Sequence, residues 1–192
     1  MSMPGGLLYF KDVIDDKYTS SLLSFIENNG KWKSLSESKN SRKVQHYGYI
    51  YDYKSGKTNS KTEPIPQILR PLIDSLKERC GDEKYDFNQV IINNYEPGQG
   101  ISAHIDSTEY GEIIGCYTLG SGATMRFTND EKKYDLYVSP NSLYIMTMES
   151  RYNWKHEMIN RKSDVVDGDK ILRGKRVSIT FRYVKKKVIR DD

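Results

Sequence analysis

The chain has 192 residues, of which 36% are hydrophobic and 29% charged, and these values are typical of one globular domain with its own core. It contains no run of 18 apolar residues, and it starts without the basic and apolar stretches of a secretory signal. Its net charge is +4, and its two cysteines, Cys80 and Cys116, form no CxxC motif. We therefore expect a monomeric, intracellular protein from a reducing compartment, without a membrane helix or a thiolate zinc site.

Residues 1–88 predict a supporting layer with two helices. A short strand at 7–13 precedes the first helix. Asp15 or Asp16 can cap this helix, because their carboxylates can accept hydrogen bonds from the free amides of its first turn. The sequence Asn-Asn-Gly after the last apolar position is expected to end it.

The second helix follows Pro64-Ile65-Pro66 and carries apolar residues at helical spacing. Pro71 lies inside that pattern and is expected to kink or restart the helix, since proline has no amide donor. Gly81 is expected to end it. Polar stretches at 32–40 and 54–62 predict loops.

Four of the 15 tyrosines recur with a period of two, at Tyr47, Tyr49, Tyr51 and Tyr53. Side chains two residues apart on a strand point to the same face, so residues 42–53 predict one strand with a tyrosine stripe. Such a stripe most often covers a half-buried sheet surface. It also suits a surface that stacks on nucleic-acid bases.

From residue 89 onward, short apolar runs alternate with turn residues. Eight strands are predicted, at 89–95, 101–106, 112–119, 123–128, 134–138, 142–148, 155–159 and 175–184. Eight short strands in succession favour an antiparallel double-sheet jelly roll over 89–184. Residues 160–174 are expected to form a charged loop.

The stretch 91–106 carries the strongest chemical signal. It begins as an apolar strand, turns at Pro-Gly-Gln-Gly, and continues to His104 and Asp106. Residues two apart on a strand can aim an imidazole and a carboxylate at one point, and His156, several strands later, can complete a 2-His-1-carboxylate triad for non-haem Fe(II). The third histidine, His46, lies in the tyrosine stripe. By itself, the His-x-Asp pair could also be a chance pair at a strand end.

The last predicted strand has two different faces. Its apolar residues alternate with Arg176, Ser178, Thr180 and Arg182. Buried guanidinium groups need anionic partners, so this face predicts binding of a dicarboxylate between the two arginines. The alternative is an exposed edge strand with its arginines in water.

A basic region extends from Arg173 to Arg190, with eight basic residues and no acid. It includes most of a C-terminal tail at 185–192. Such a run is typical of a nucleic-acid contact, or of an exposed strand edge protected by lysines.

Taken together, these patterns resemble the AlkB family of Fe(II)/2-oxoglutarate dioxygenases over residues 42–184. The motifs are Asn93-x-Tyr95-x-Pro97-Gly98, His104-x-Asp106, Glu149-Ser150-Arg151, His156 and Arg176-x-Ser178-x-Thr180-x-Arg182. The branch that acts on wobble uridine in tRNA looks most similar. The resemblance implies a mainly β fold with flanking helices, whose core is a double-stranded β-helix.

The resemblance also implies that His104, Asp106 and His156 bind Fe(II), with 2-oxoglutarate and O₂ as cosubstrates. It places Arg176 at the far carboxylate of 2-oxoglutarate and Arg182 at the carboxylate near the metal. Ser178 replaces an asparagine that is usual in the family. The residues implied to bind 2-oxoglutarate are Asn93, Tyr95, Arg176, Ser178, Thr180 and Arg182.

On the substrate side, Tyr49 matches a position that contacts substrate in the family, and Arg42 takes the place of an aromatic stacker. Thr108 replaces an acidic residue of the DNA-repair members, which argues against alkyl-base repair of that type. The residues implied to face the substrate are Arg42, Tyr47, Tyr49, Tyr51, Thr108, Met146 and Arg151.

The favoured hypothesis is an oxygenase that hydroxylates or demethylates a modified base in single-stranded RNA, tRNA or DNA. A protein side-chain hydroxylase or demethylase, and a catalytically inactive nucleic-acid-binding module, are the alternatives. Residues 1–192 are expected to form one domain, with helices and a nucleotide-recognition lid at 1–88, the jelly-roll core at 89–184 and the basic tail at 185–192.

Overall fold

The computed structural model describes residues 2–36, 41–130 and 132–185. The strands are β1 (Leu7–Phe10), β2 (Lys33–Ser34), β3 (Lys43–Tyr47), β4 (Tyr49–Asp52), β5 (Lys57–Lys61), β6 (Gln89–Tyr95), β7 (Ile101–His104), β8 (Ile114–Gly120), β9 (Ala123–Asn129), β10 (Lys132–Val138), β11 (Ser142–Met146), β12 (Lys155–Met158), β13 (Ser163–Val166), β14 (Asp169–Leu172) and β15 (Arg176–Arg182). The helices are α1 (Asp16–Asn28), α2 (Arg70–Cys80) and α3 (Met148–Tyr152). The basic tail expected at 185–192 lies outside the described residues apart from its first residue, and so does part of the loop expected at 32–40.

Two antiparallel sheets form the body of the protein. The larger sheet has the strand order β1-β11-β8-β15-β6-β3-β2, and the smaller has the order β10-β9-β12-β7. A buried apolar cluster lies between them, with Ile114 and Tyr144 from the larger sheet and Phe127 and Met158 from the smaller. The predicted double-sheet jelly roll is therefore confirmed.

A second core lies between the larger sheet and the two long helices. Asp15 caps α1 as predicted, accepting a hydrogen bond from the amide of Tyr18 at 2.7 Å. Leu22 of α1 and Leu76 of α2 are completely buried in a cluster with Phe181 of β15. The helices thus support the outer face of the sheet that carries the predicted arginine strand.

Both ends of α2 follow the sequence prediction. A single 3-10 turn, Gln67–Leu69, leads into α2, and Pro71 lies in the first turn, where an amide would have no intrahelical partner. Gly81 ends the helix with φ of 71°, a left-handed conformation that glycine adopts without strain.

Strand β15 separates the two cores. Val177 and Ile179 face the helices, whereas the alternate residues face the space between the sheets, where Arg176 is only 4% exposed. β15 pairs with β6 on one side and β8 on the other. The two-faced strand is confirmed, and the alternative of an exposed edge strand is wrong because β15 lies in the middle of its sheet.

The prediction of one continuous tyrosine strand is wrong. Gly48, with φ of 78°, separates β3 from β4, and a Cβ at this position would lie 1.9 Å from the carbonyl oxygen of Asn88. Tyr47 therefore packs into the helix-side core. Tyr49 and Tyr51 belong to a separate hairpin, in which β4 pairs with β5.

Two expected loops and one expected strand are also corrected. β5 occupies most of the stretch 54–62, the hairpin β13–β14 occupies much of 160–174, and α3 interrupts the strand expected at 142–148. The second hairpin is stabilised by a buried ion cluster, because Asp164 accepts hydrogen bonds from Arg161 at 3.0 Å and Arg173 at 2.6 Å. Some of the charged residues in this segment therefore pair with one another and stabilise the fold.

The cysteines agree with the expectation of reduced thiols. Cys80 is half-buried, Cys116 is buried, and both are free. Among the residues that the structure describes, no helix is long and apolar enough to cross a membrane.

Candidate active site

The predicted triad converges at one end of the space between the sheets. His104 ends β7, Asp106 follows two residues later, and His156 lies on β12 directly opposite His104 in the strand register. The Asp106 Oδ1 atom lies 3.4 Å from His104 Nε2 and 3.9 Å from His156 Nε2. One ligand atom from each of the three residues falls within 4.8 Å of the others. Two imidazoles and one carboxylate in this arrangement fit the facial triad of non-haem Fe(II).

The surroundings of His104 and His156 favour the neutral forms that bind metal. His104 Nδ1 lies 2.7 Å from the carbonyl oxygen of Ser102, so Nδ1 carries the proton and Nε2 is free to coordinate. Burial lowers the pKa of His156 to about 3, although the Asp106 carboxylate opposes the shift. His156 is therefore a neutral imidazole at neutral pH, as a metal ligand must be.

The two oxygens of Asp106 have separate roles. Oδ1 faces the two histidines, while Oδ2 accepts a hydrogen bond from Arg182 Nε at 2.8 Å. Burial by itself would raise the pKa of Asp106, but the guanidinium of Arg182 and the contacts with the histidines hold it well below its ordinary value. The carboxylate is thus charged and fixed in orientation before any ligand binds.

Arg151 holds the loop that carries Asp106, which corrects the expectation that it faces the substrate. It is 1% exposed, and its guanidinium donates to the carbonyls of Asp106 at 2.9 Å, Ser107 at 2.7 Å and Gly111 at 3.2 Å. Burial lowers the pKa of Arg151, and the Asp106 charge partly offsets this effect. Arg151 is therefore a positioning residue, and each of its three guanidinium nitrogens donates to a backbone carbonyl inside the protein.

Arg176 and Arg182 line an inner cavity between the sheets, next to the triad. Arg176 Nη2 donates to Thr118 Oγ1 at 2.9 Å, and its guanidinium carbon lies 5.5 Å from the centre of the Tyr95 ring. Among the described residues, Arg176 Nε and Arg182 Nη1 are buried without a hydrogen-bond partner. Unpaired buried guanidinium donors are costly, so the cavity suits an anion with oxygens at both ends.

Smaller polar groups between the arginines complete this donor set. Asn93 Nδ2 and Ser178 Oγ lie 3.5 Å apart, and Thr180 Oγ1 lies 3.5 Å from Cys116 Sγ. The Asn93–Ser178 contact is at the limit for a hydrogen bond and is therefore weak, so these two groups can turn to a ligand. The residues present therefore fit 2-oxoglutarate, and the triad beside them fits Fe(II).

The inner cavity also contains residues that the sequence interpretation did not select. Tyr144 lies on β11, two residues before Met146, and both line the cavity. Strand alternation from Met146 could have identified Tyr144. Thr118, which holds Arg176, carries no comparable signal because its role depends on the pairing of β8 with β15.

An outer cavity of about 360 Å³ opens beside the triad. Its wall includes His104, Asp106, Arg182, Arg42, Tyr51, Tyr53 and Tyr110. The ring centre of Tyr53 lies 5.0 Å from that of Tyr51 in an edge-on contact, and 5.9 Å from that of His46 with 24° between the planes. The guanidinium carbon of Arg42 lies 5.8 Å from the Tyr53 ring centre. This wall of rings and cations suits a planar ligand.

Two of the residues expected to face the substrate, Arg42 and Tyr51, line the outer cavity, whereas Met146 lines the inner one. Tyr53 and Tyr110 line the outer cavity without having been selected. Tyr53 continues the period-two tyrosine series, so that pattern could have identified it. Tyr110 has no sequence signal, because its position depends on how the loop after Asp106 folds back.

The other substrate-side expectations are corrected by position. Tyr47 is 3% exposed in the helix-side core, where its hydroxyl contacts Gln45. Tyr49 lines neither cavity, and its carbonyl accepts a hydrogen bond from Gln89 at 3.3 Å. Thr108 is exposed on the loop after Asp106 and also lines neither cavity.

The hairpin β4–β5 docks onto the metal-binding loop. The Thr58 amide donates to Glu109 Oε2 at 2.7 Å, and the Thr58 hydroxyl lies 3.3 Å from the Tyr110 hydroxyl. The Arg182 guanidinium carbon lies 4.9 Å from the Tyr110 ring centre. The hairpin is thus attached to the same loop that carries Asp106, and it contributes Tyr51 and Tyr53 to the wall of the outer cavity.

Comparison with known proteins agrees with this geometry. Residues 25–182 match the 2OG-Fe(II) oxygenase superfamily. An uncharacterised protein of Acanthamoeba polyphaga mimivirus is 37% identical over 166 residues, which cover 79% of this chain and 74% of that protein. The tRNA (carboxymethyluridine(34)-5-O)-methyltransferase ALKBH8 of Mus musculus is 34% identical over 209 residues, or 96% of this chain. The match covers only 31% of that methyltransferase, so this chain spans about a third of its length.

The solved structure of OsALKBH1 has a TM-score of 0.68 to this chain at 15% identity, covering 95% of this chain and 98% of that one. At this identity the likeness establishes a shared AlkB-type fold. The family match covers most of the chain, including the triad and both arginines. The chain therefore belongs to the 2OG-Fe(II) oxygenase superfamily, and it is an oxidoreductase that uses Fe(II), 2-oxoglutarate and O₂.

Proposed function

We propose that this protein oxidises a modified or alkylated base in single-stranded nucleic acid, with RNA favoured over DNA. The observation that carries the proposal is the outer cavity, whose wall of Arg42, Tyr51 and Tyr53 lies directly beside the triad. Aromatic rings and guanidinium planes stack on bases of any sequence. A base must leave its stack to reach the metal, and a single strand costs least for that step.

The similarity to a tRNA methyltransferase supports a nucleic-acid partner. That relative is named for methyl transfer to a tRNA base, and the matched part is about a third of its length. From this relative we infer only the class of partner, a nucleic acid, and we do not infer methyl transfer. The monomeric state, the intracellular location and the organisation of 1–192 as one domain stay predictions.

The residues of the chain divide the work of the reaction. When bound, Fe(II) with 2-oxoglutarate and O₂ supplies an oxidant that inserts one oxygen atom into a C–H bond, while 2-oxoglutarate is converted to succinate and CO₂. Arg176 and Arg182 would hold the two carboxylates of 2-oxoglutarate through the donors that are buried and unpaired. The Arg182 contact to Asp106 keeps the other carboxylate oxygen directed at the metal position.

The outer wall would position the target base. Stacking against Tyr53 and Arg42 would place a planar ring beside His104 and Asp106, and the hairpin β4–β5 would act as a lid over the bound base. Hydroxylation of an N-methyl carbon yields an unstable product that releases formaldehyde, whereas hydroxylation of another carbon leaves an alcohol.

The proposal is tested by incubating the full chain with Fe(II), 2-oxoglutarate, ascorbate and a set of single-stranded oligonucleotides that contain different modified nucleosides. We expect one or a few nucleosides to gain an oxygen atom or lose a methyl group, as read by mass spectrometry, together with equivalent succinate. The duplex form of the same oligonucleotide should react more slowly. An Asp106→Ala variant is the control for oxidation that does not depend on the site.

A parallel set of methylated and unmethylated peptides tests the protein-oxygenase alternative. Added salt should suppress the reaction on oligonucleotides, because phosphate contacts weaken with ionic strength. Oxidation of peptides with no oligonucleotide product at any salt concentration would overturn the proposal.

A further inference from the structure

A second groove lies beside the outer cavity, and Arg42 lines both spaces. This groove has a volume of about 550 Å³ and is lined by Arg42, the turn 97–100, Asn160 and Lys162. Of the described residues, those that line the groove supply two cations and two side-chain amides but no carboxylate.

The two cations have no acidic partner in the part of the chain that the structure describes. Among the described residues, neither Arg42 nor Lys162 forms an ion pair, and Arg42 Nε donates to the neutral amide oxygen of Asn93 at 3.2 Å. The two arginines at the base of the hairpin β13–β14 are different, because Asp164 pairs with both Arg161 and Arg173. Lys162, which directly precedes β13, is the cation that this region contributes to the groove.

The framework around Lys162 is firm. Its backbone carbonyl accepts a hydrogen bond from the Arg173 amide at 2.9 Å, next to the buried ion cluster. A Cβ added at Gly98 would lie 3.7 Å from Lys162 Cγ, so the lysine stem runs along the turn 97–100. Gly100 has no space for a side chain, since a Cβ there would lie 1.9 Å from the Met158 carbonyl oxygen.

We propose that this groove binds a backbone phosphate of the nucleic-acid strand, next to the nucleotide whose base enters the outer cavity. The inference rests on the proposed function and adds a phosphate subsite at Lys162 and Arg42. A pair of cations with no acidic partner among the described residues suits a phosphodiester, and the position of the groove beside the outer cavity suits the neighbouring unit of the same nucleic-acid strand. The groove would select for a strand over a free nucleoside, without reading its sequence.

The first experiment measures how binding depends on salt. The probe is a short single-stranded RNA of mixed sequence, and the protein is the full chain loaded with Mn(II) and 2-oxoglutarate without O₂. A plot of log Kobs against log salt has a negative slope for nucleic-acid binding. Removing one phosphate contact to a single strand reduces the magnitude of this slope by about 0.7. We expect this decrease for Lys162→Gln, with several-fold weaker binding at low salt and convergence with the wild type at high salt.

Lys170→Gln is the matched control, since Lys170 is an exposed lysine of the same hairpin that lines none of the cavities described above. Its slope should equal that of the wild type. If the wild type binds RNA and Lys162→Gln has an unchanged slope, the groove assignment is overturned while the proposed function stands. If the wild type binds neither RNA nor DNA at low salt, the proposed function itself fails.

A second experiment changes the RNA and leaves the protein intact. Single phosphates of the probe are replaced in turn by neutral methylphosphonates. At one phosphate position, the methylphosphonate should weaken binding as much as Lys162→Gln does. At that position, combining the methylphosphonate with Lys162→Gln should weaken binding no more than either change by itself. Fully additive losses at every position would contradict a contact between Lys162 and phosphate.

Discussion

The inner and outer halves of the active site are built in different ways. The inner half holds the metal and the cosubstrate, and its side chains Asp106, His156 and Arg176 are 7%, 6% and 4% exposed. They project from, or directly follow, strands of the two main sheets. The outer half depends on a separate hairpin, and its central ring, Tyr53, is 40% exposed.

The kinds of contact differ as well. Inner polar groups are held by charge-assisted hydrogen bonds, such as Arg182 to Asp106 at 2.8 Å. Outer groups are held mostly by ring contacts and by the Thr58–Glu109 hydrogen bond of the lid. In a site of this kind, the metal and the cosubstrate are held by the rigid inner half, while the substrate is contacted by the more adaptable outer half. The following predictions test that division, from the largest expected effect to the smallest.

Asp106→Ala should remove the chemistry altogether. We expect succinate formation to fall below detection and Mn(II) affinity to drop. The variant also leaves the buried Arg182 charge without a partner, which typically costs about 3–5 kcal/mol of unfolding free energy. The control is Asp135→Ala, which breaks the surface pair with Arg126 and should cost about 0–1 kcal/mol with turnover retained. Near-normal turnover by Asp106→Ala would falsify the triad.

Arg176→Ala should separate cosubstrate binding from metal binding. In the wild type, 2-oxoglutarate at a hundredfold excess over its Kd should stabilise the Mn(II)-loaded protein by about 2.7 kcal/mol. The variant should lose this stabilisation and keep its Mn(II) affinity, because the guanidinium lies away from the metal ligands. Thermal unfolding with and without 2-oxoglutarate measures the effect. A wild type that shows no shift would contradict the assignment of the inner cavity.

Arg151→Lys tests whether Arg151 supports the metal-binding loop of the inner half or contacts the substrate. The shorter group cannot serve the carbonyls of Asp106, Ser107 and Gly111 together, so the metal loop should loosen. Loss of such supporting hydrogen bonds typically lowers metal affinity by about 10- to 100-fold. Oligonucleotide affinity, measured at saturating Mn(II), should change little. A selective loss of oligonucleotide binding would instead favour direct substrate contact.

Tyr53→Ala and Tyr49→Ala should behave differently, although both tyrosines belong to one sequence pattern. Stacking on a base is worth about 1–3 kcal/mol, so Tyr53→Ala should weaken oligonucleotide binding by roughly 5- to 150-fold. Tyr49 lines neither cavity, and its replacement should leave affinity per folded molecule unchanged. Affinity and thermal stability are measured on both variants. Equal losses of affinity would show that the lid acts through its stability rather than through a specific ring.

Near neutral pH, the smallest effect is expected from pH on the stability of the metal-free protein. Burial lowers the pKa of His156 to about 3 and that of His46 to about 4, from 6.5 in the unfolded chain. The unfolded chain therefore takes up protons first as the pH falls. The contribution of these histidines to stability is complete above pH 6.5 and decreases as the pH falls towards these lowered values. Denaturant unfolding at several pH values should show a shallower decline for His46→Gln.

The sequence by itself determined most of the inner half. The alternation along Arg176 to Arg182 needed only the period of two that a strand imposes on its side chains. The same rule paired His104 with Asp106, although β7 ends at His104 and Asp106 lies just beyond this strand. Helix caps were equally local, since Asp15 and Gly81 act within a few residues of their own helix ends. These features could be predicted because their physical cause lies within a short segment of chain.

Tertiary structure decided most of the outer half, although the sequence had suggested Arg42 and Tyr51. The tyrosine series divides at Gly48 because the backbone of Asn88, forty positions away, leaves no space for a side chain there. Arg151 became a support because three loop carbonyls converge on it. Arg42 and Lys162 meet in one groove only after the sheets have packed. No periodic sequence pattern predicts such long-range contacts. They depend on how the sheets pack and on which carbonyls remain unpaired once the core has formed.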